Sequence, residues 1–319
     1  MKTVNCNFCG QNDTELVNEG PDLLLGKPGR FRLVRCRHCG LIYQNPMLSF
    51  AELSAHYPHN YLPYKKTAAL PPSWKRITHN HATRRQCRRV MHHHPQAGRL
   101  LDVGCATGLF LQAMRHYGWQ VTGVEPNAEA AAYGRDTLGL DIFVGTLAEV
   151  TFPAQAFDVV TLWDVLEHVH DPKATLAEIS RLLRPGGLLV VSLPNPTSVE
   201  ARLFGDYWIG WERPRHLYLF TPALIQCYLE RAGFTMNGIE SFSGRLNLTL
   251  LSIAFYCQAK GIPERRWRPW LKIAYNLPLR IATWPLYRLS EKLNKSSVMT
   301  VFATRSAPGA TESSLVCHE

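Results

Sequence analysis

Residues 100–108 read Leu-Leu-Asp-Val-Gly-Cys-Ala-Thr-Gly, and this run constrains the fold more than any other stretch of the chain. Leu100, Leu101, Asp102 and Val103 have the apolar character of a buried strand. Gly104 and Gly108 then permit a tight turn and a close approach of backbone to a ligand. Immediately afterwards Leu109, Phe110, Ala113, Met114 and Tyr117 recur at helical spacing until Gly118 stops them. The alternation continues with strands expected over 120–124, 141–144, 157–163 and 188–193. Between them, Asn127 caps a helix running to Leu138. Asp171-Pro172 opens another, with Leu176, Ile179 and Leu183 inward and Pro185-Gly186-Gly187 at its end. Thr221-Pro222 opens one more, closed at Gly233. Strands alternating with amphipathic helices specify an α/β, doubly wound parallel sheet. Ligands of such sheets bind beyond the carboxyl ends of the strands.

The turn does not follow the dinucleotide fingerprint, which needs G-x-G-x-x-G. Its spacing is Asp-x-Gly-x-Ala-x-Gly over Asp102 to Gly108. Glu125 stands at the end of the next strand, where a carboxylate can grip the two hydroxyls of a ribose. Loop and acid together point to a nucleoside site; the competing reading is an ordinary tight turn.

Two copies of Cys-x-x-Cys-Gly lie near the N-terminus, Cys6/Cys9 with Gly10 and Cys36/Cys39 with Gly40. Two residues between thiolates let both sulfurs of one turn face a single ion, and four thiolates suit tetrahedral zinc. A closed four-sulfur site leaves no position for chemistry, so structural Zn2+ is favoured over a catalytic zinc or a redox pair. The gap of 26 residues between the knuckles fits a hairpin with a long tip, residues 31–34 forming one strand. The ribbon is expected to come away under protease on zinc loss while the core stays folded. Nine cysteines with no export signal argue against a disulfide framework.

The chain carries 35 basic against 25 acidic residues, a formal +10, which favours an anionic partner without choosing one. From Leu41 to Pro95 the signals are mixed, and Tyr43, Tyr57, Tyr61 and Tyr64 among Pro46, Pro58, Pro63, Pro71 and Pro72 read as an irregular connector. A helix follows from Ser73, and Arg84, Arg85, Arg88 and Arg89 form its basic face. The histidines at 92–94 read as its frayed end. Residues 260–305 hold ten Lys/Arg against Glu264 and Glu291, interleaved with Trp267, Trp270, Tyr275, Trp284 and Tyr287. The expected course is a helix over 246–258, a basic turn over 260–268, a segment over 270–293 broken at Pro278 and Pro285, and a final strand over 298–304 beside 234–242. Such Trp/Tyr and Lys/Arg patterning suits peripheral contact with an anionic membrane, against the alternative of a packed helical cap. The N-terminus lacks the apolar stretch of a signal peptide, and no run is long enough to span a bilayer. A cytoplasmic protein, peripheral at the inner membrane face, is expected.

The runs 100–108, Val-Glu-Pro-Asn at 124–127, Phe-Asp-Val-Val-Thr-Leu-Trp-Asp-Val-Leu-Glu-His-Val-His-Asp-Pro at 157–172 and Leu-Leu-Arg-Pro-Gly-Gly-Leu-Leu-Val-Val-Ser at 182–192 resemble class I S-adenosylmethionine-dependent methyltransferases. The likeness covers roughly residues 98–244. It is nearer to ubiquinone-type O-methyltransferases and to bacterial methyltransferases with an N-terminal zinc ribbon. The resemblance implies a Rossmann-like methyltransferase sheet and S-adenosyl-L-methionine as cofactor. Its methionine end is implied at Asp102, Gly104, Cys105, Ala106 and Gly108, its ribose at Glu125-Pro126, its adenine at Thr146-Leu147, and its amine near Trp163 and Asp164. Ala106 replaces the commoner middle glycine, and Thr146 stands where many relatives have Asp. In ubiquinone-type relatives the segment matching Asp164 to His168 is linked to a divalent metal.

A hydroxyl acceptor benefits from a base, and the candidates are His216, Glu167 and His168. Glu167 and His168 could instead brace their loop. His216 lies in a segment with Trp208, Trp211, Arg213 and Arg215, which could stack on a ring and meet phosphate or carboxylate, or simply pack as a lid. Expected units are a zinc ribbon at 1–45, connector and basic helix at 46–97, methyltransferase domain at 98–306 with a helical insertion at about 245–296, and a flexible tail at 307–319. The leading function is methylation of a small-molecule, glycan-precursor or lipid-linked acceptor, at oxygen. RNA or protein methylation is the first alternative. It lacks an Asn/Asp-Pro-Pro-Tyr motif and an aromatic RNA-binding signature, so nucleic acid is not the expected partner. A non-catalytic cofactor-binding protein is the second.

Overall fold

The structure is a computed structural model that describes residues 1–57, 74–242, 245–274 and 277–307; side chains are described except at 74–80, 245, 272–274, 277–281 and 284. Expectations for Pro58, Tyr61, Pro63, Tyr64, Pro71, Pro72, Ser73, Tyr275, the side chains of Pro278 and Trp284, and the tail from residue 308 lie outside the described residues.

The chain runs β1 (Thr14–Gly20), β2 (Phe31–Cys36), β3 (Ile42–Gln44), α1 (Phe50–Ser54), α2 (Trp74–His93), β4 (Arg99–Val103), α3 (Leu109–His116), β5 (Gln120–Glu125), α4 (Ala128–Leu138), β6 (Asp141–Val144) and β7 (Phe157–Trp163). It continues with α5 (Pro172–Leu182), β8 (Leu183–Pro194), α6 (Val199–Phe204), β9 (Tyr218–Leu219), α7 (Pro222–Arg231), β10 (Phe234–Glu240), α8 (Arg245–Ala259), α9 (Glu264–Ala274), α10 (Leu277–Lys292) and β11 (Val298–Arg305).

Seven strands form the main sheet in the order β10-β11-β8-β7-β4-β5-β6. Strands β6, β5, β4, β7 and β8 are parallel, and β11 enters antiparallel between β8 and β10. Leu100, Leu101 and Val103 are buried, as a strand covered on both faces requires. Caps fall where the sequence places them. Asn127 accepts from the Ala130 amide at 2.8 Å, Asp171 from Ala174 at 3.0 Å and Thr221 from Leu224 at 3.3 Å.

Within the parallel core, the start of β8 differs from expectation. Strand β8 begins at Leu183, ahead of Pro185-Gly186-Gly187. Leu183 pairs with Phe157 and Leu188 with Val159, so four residues loop out between positions that the partner strand separates by one residue. Leu183 stays buried, but as a strand residue.

The second sheet, β1-β2-β3-β9, joins the two ends of the fold. Three strands come from the N-terminal module; the fourth comes from the segment after β8, with Ile42 opposite Leu219 and Tyr43 opposite Tyr218. Phe8 packs on Tyr228 of α7 at 4.9 Å, under the Arg231 guanidinium at 3.9 Å. Cys6, Phe8 and Tyr43 therefore belong to the same apolar cluster as Leu101, Val160 and Leu189. A core shared in this way revises the expectation of a ribbon that detaches from a folded remainder.

The basic helix is likewise docked. Arg89 pairs with Glu240 at 3.0 Å and Arg85 with Glu291 at 3.7 Å, both over the Phe242 ring, while Arg84 and Arg88 face solvent. His93 is no frayed end: it stacks on Phe302 at 3.9 Å and its Nε2 lies 3.1 Å from Glu240. On the ribbon, Arg30 and Arg32 meet Glu19, Arg35 meets Glu15 and Arg37 meets Asp13. Beyond β10, α9 begins within the stretch expected to be a turn, and α10 passes through Pro285 unbroken.

Candidate active site

The parallel strands all end at one edge of the sheet, and the candidate residues collect there. Gly104 to Gly108 follow β4, Glu125 ends β5, Thr146-Leu147 follow β6, and Trp163-Asp164 close β7. Glu125 is buried. Its Oε2 accepts from the Ala106 amide and its Oε1 from the Asn127 amide, each at 2.8 Å, while Pro126 between them is exposed. One carboxylate thus ties the two turns together and keeps lone pairs for further donors. Burial pushes its pKa up against those two amides. Ala106 has φ 48°, which costs an L-residue roughly 1–2 kcal/mol and explains why glycine is the easier occupant.

Gly104 has φ 72°, and a Cβ there would meet Val165 Cγ2 at 2.5 Å. The loop after β4 is therefore pressed against the segment after β7. Cys105 turns its sulfur toward Gly123 and the interior, so its backbone alone borders the crevice. Asp102 is buried and accepts from Thr161 Oγ1 at 2.6 Å. Burial, with Glu125 nearby, pushes its carboxyl up to about 7. Thr146 gives its amide and hydroxyl to Glu149 Oε2, at 2.7 and 2.8 Å, and Leu147 is buried behind it. Asp164 has φ 56° and accepts from Ser192 Oγ at 2.7 Å. Trp163 holds its indole N–H buried with no hydrogen-bond acceptor among the described residues.

Glu167, His168 and His216 come together from two segments, their nearest ligand atoms all within 4.8 Å of one another. Glu167 is fully buried, and neither oxygen has a hydrogen-bond partner among the described residues; His216 Nε2 stands 4.0 Å from Oε1. Burial pushes its pKa well up, with Asp164 adding to the effect. The carbonyl oxygens nearby fix both imidazoles. His168 Nδ1 lies 2.9 Å from the Arg215 carbonyl and His216 Nδ1 lies 2.8 Å from that of Gly210. A carbonyl only accepts, so contact with it calls for a proton on each Nδ1 and leaves each Nε2 its lone pair; at His168 the Tyr57 hydroxyl, 3.0 Å from Nδ1, then has to accept. Burial, then the charge of His216, lowers His168 to about 4, and burial lowers His216. Both rings are neutral bases near pH 7. Tyr57 adds its hydroxyl 3.0 Å from His168 Nδ1, a contact across 111 residues with no sequence signal.

The rest of the His216 segment packs as a lid. Trp208 and Trp211 are buried edge to face at 5.5 Å, and their indole N–H groups donate to Ser297 Oγ and the Gly205 carbonyl. Arg213 donates to Asn18, and Arg215 donates twice to Asp22 at 2.8 Å and to Glu212 at 2.9 Å. These arginines have protein partners, so the expected phosphate or carboxylate role does not hold.

At the ribbon, Cys6 and Cys39 sulfurs are 3.4 Å apart and those of Cys9 and Cys36 are 3.5 Å apart. Tetrahedral bonds of about 2.3 Å give an edge near 3.8 Å, so the four sulfurs fit one ion. The knuckles are the same turn twice: Gly10 donates to the Cys6 carbonyl and Gly40 to that of Cys36, each at 2.9 Å, with φ 79° and 81°.

Residues 77–237, half of the chain, match the family model for a methyltransferase domain. The chain belongs to that family. The ubiquinone biosynthesis O-methyltransferase of Maricaulis maris is 35% identical over 151 residues, 44% of this chain and 59% of that protein. That of Cereibacter sphaeroides is 39% identical over 149 residues, 43% and 60% of the two chains. This methyltransferase-family chain thus spans about three-fifths of the length of those relatives. A solved structure of a candidate sarcosine dimethylglycine methyltransferase from Galdieria sulphuraria shares the fold, with TM-score 0.52 and 11% identity over 80% of this chain and 98% of that one.

The raised Asp102 carboxyl gives a pH test with a definite sign. At about 7 when folded, against about 3.9 in an unfolded chain, it binds its proton more tightly in the folded state. Its contribution to stability is full below pH 4, falls as pH rises toward 7, and is flat above. Asp102→Asn should therefore gain on wild type by up to about 4 kcal/mol across that window in urea melts. Parallel curves for the two proteins would show Asp102 to be ordinary.

Proposed function

We propose that the chain is an S-adenosylmethionine-dependent methyltransferase acting at an oxygen of a small-molecule or lipid-linked acceptor. Family membership supports the cofactor, and the names of the curated relatives support oxygen and a quinone-like acceptor. The observation that carries the reading is the contact of the Gly104 loop with Val165, two residues from Glu167. It sets the nucleoside-type crevice against a cluster of buried bases. S-adenosylmethionine supplies a methyl group on a sulfonium, ready for in-line displacement. Glu125 suits the ribose hydroxyls; the amides of Gly104 to Gly108 and the Trp163-Asp164 backbone suit the methionine end. His216 Nε2 takes the acceptor's proton as oxygen accepts the methyl carbon, and Glu212, whose Oε2 lies 3.7 Å from that nitrogen, steadies the imidazolium so formed.

The same three side chains also suit a divalent cation. Each imidazole donates its other N–H to a carbonyl, the usual support of a metal-ligating histidine. Calorimetry and a radiolabelled methyl-transfer assay over a panel of phenols and catechols, with and without Mg2+ or Mn2+, test the assignment. Glu125→Ala should weaken cofactor binding at least several-fold. His216→Ala should keep that binding and lose about 10²-fold or more in turnover. No heat with the cofactor or its demethylated product would end the enzyme reading. Unchanged turnover would pass the base to Glu167 or His168.

For the ribbon we propose one structural Zn2+ on Cys6, Cys9, Cys36 and Cys39. Metal analysis of anaerobically purified protein should give close to one equivalent, lost in Cys36→Ser. Because Cys6 and Phe8 lie in the shared core, that variant should melt as a whole at lower temperature. Full zinc retention would put the ligands elsewhere.

For the acceptor's setting we propose an anionic membrane surface, met by α9 and α10. No helix among the described residues is long and apolar enough to cross a membrane. Trp270, Leu286, Leu289 and Leu293 are nonetheless 56–71% exposed. Arg265, Arg266, Arg268, Arg288 and Lys292 stand exposed beside them, a pairing that suits an interface of lipid headgroups. The protein should float with anionic liposomes, not neutral ones, and 1 M salt should release it. Absence from both fractions at low salt would leave a packed cap.

A further inference from the structure

The long tip of the ribbon hairpin carries Asp22, whose side chain is fully buried 193 residues away in sequence from its partner Arg215. The carboxylate has four hydrogen-bond donors, and His56 Nδ1 stands 3.6 Å from its Oδ2. Its Oδ1 accepts from the Leu24 amide at 3.1 Å, the Leu25 amide at 3.0 Å and Arg215 Nη2 at 2.8 Å, and its Oδ2 from Arg215 Nη1 at 2.8 Å. Burial would push Asp22 up; the Arg215 guanidinium outweighs it and holds the carboxyl below its usual range. Arg215 is fully buried as well, with Glu212 on its Nε. A bidentate guanidinium-carboxylate pair fixes position and orientation together. Here it fixes the residue whose carbonyl accepts from His168 Nδ1–H and whose chain neighbour is His216. Two more ties run alongside: the Leu217 amide donates to the Glu167 carbonyl, and the Gln44 amide to that of Leu217, each at 2.8 Å.

We infer that the zinc ribbon is part of the active site, and that Asp22 is a positioning residue which, through Arg215, holds His168 in its Nδ1–H form with Nε2 presented as a base. The inference rests on the reading of Glu167, His168 and His216 as the base cluster. Its geometry also explains why the knuckles are so far apart: the extra length of the tip carries a carboxylate across to the lid. Arg213, held by Asn18 of β1, repeats the arrangement one step away. His216 is held differently, by Gly210 within the lid, which separates the two histidines experimentally.

The test is nitrogen-15 NMR on zinc-loaded, full-length protein with labelled histidine, at pH 7.5, where both rings are neutral. The groups facing His168 are Tyr57, His216, Asp164 and Glu212; Asp22→Asn leaves all four untouched, whereas Arg215→Lys also removes the Nε bond to Glu212, so Asp22→Asn is the cleaner arm. Wild type should give the Nδ1–H pattern for His168 and for His216. In Asp22→Asn and in Arg215→Lys the His168 signal should lose that single form and gain the Nε2–H pattern, while His216 keeps its own. Phe8→Ala, which loosens the ribbon against α7 instead, should lower the melting temperature and leave both patterns intact. An unchanged His168 signal in folded Asp22→Asn and Arg215→Lys would overturn the inference, as would the same change in Phe8→Ala. Turnover is read separately. A tautomer change with at least tenfold lower kcat and unchanged cofactor affinity supports positioning for catalysis. The same change with kcat intact would remove His168 from the proposed mechanism.

Discussion

Strand β4 lies between β5 and β7, and that placement decides where everything else can go. The chain leaves β4 toward β5 on one side and comes back to β7 on the other. Above the carboxyl end of β4 the two connections diverge and open a crevice that no side chain of β4 can fill. The loop after β4 must cross it with little bulk, hence Gly104 against Val165. Glu125 reaches over from β5 to hold that loop by the Ala106 amide. The segment after β7 brings Glu167 and His168 to the other wall. The order of the strands alone sets where these walls stand; the ribbon and the C-terminal helices are added around them.

Those additions solve a different problem, which is how to hold a long lid between β8 and α7. A segment from Gly205 to Leu219 has little regular structure of its own and would be mobile if it packed only on itself. The ribbon supplies a strand partner for β9 and buried acceptors for Arg213 and Arg215. Buried arginines are costly without such partners, so lid and ribbon are mutually dependent. The arginines of the ribbon, and Arg85 and Arg89 of α2, are likewise taken up by neighbouring acids. On α9 and α10, Arg265, Arg266 and Lys292 stand exposed, while Arg268 and Arg288 pair with Glu264 and Glu291.

The parallel core was legible in the sequence because each signal there is local. Asn127, Asp171-Pro172 and Thr221-Pro222 cap helices within three residues of themselves, and β-strand burial shows as runs of Val and Leu. The cysteine knuckles were legible for the same reason, and so was the insertion of β11 beside β10. Pattern reading failed where partners lie far apart. Arg85, Arg89, Arg213 and Arg215 look like binding residues in a sequence because an arginine's partner carries no periodicity. His93 looked frayed because Phe302, on which it stacks, is more than two hundred residues away. Pro-Gly-Gly at 185–187 reads as a helix end, yet Leu183 had already joined the sheet, since a bulge keeps register without keeping strand geometry. Asp22 and Tyr57 had no signal at all: one is an acid in a turn, the other a tyrosine among prolines.

The buried acids of the crevice follow one electrostatic logic. Asp102, Glu125 and Glu167 are all at or near full burial, at adjacent strand ends, in a protein of net charge +10. Burial raises all three, and for Asp102 the charge of Glu125 adds to it. No Lys or Arg is paired with any of them among the described residues, although cations are plentiful elsewhere on the chain. Carboxylates that cost stability and lack counter-ions mark a site built for something other than folding. A ligand carrying a sulfonium and an ammonium would bring two positive charges into that field, and the carboxylates would ionise as it entered. The proposed cofactor carries those two charges together with one carboxylate, a net charge of one positive. Loss of the sulfonium charge on methyl transfer would also weaken the attraction, so the same acids that favour loading would favour release of the spent form.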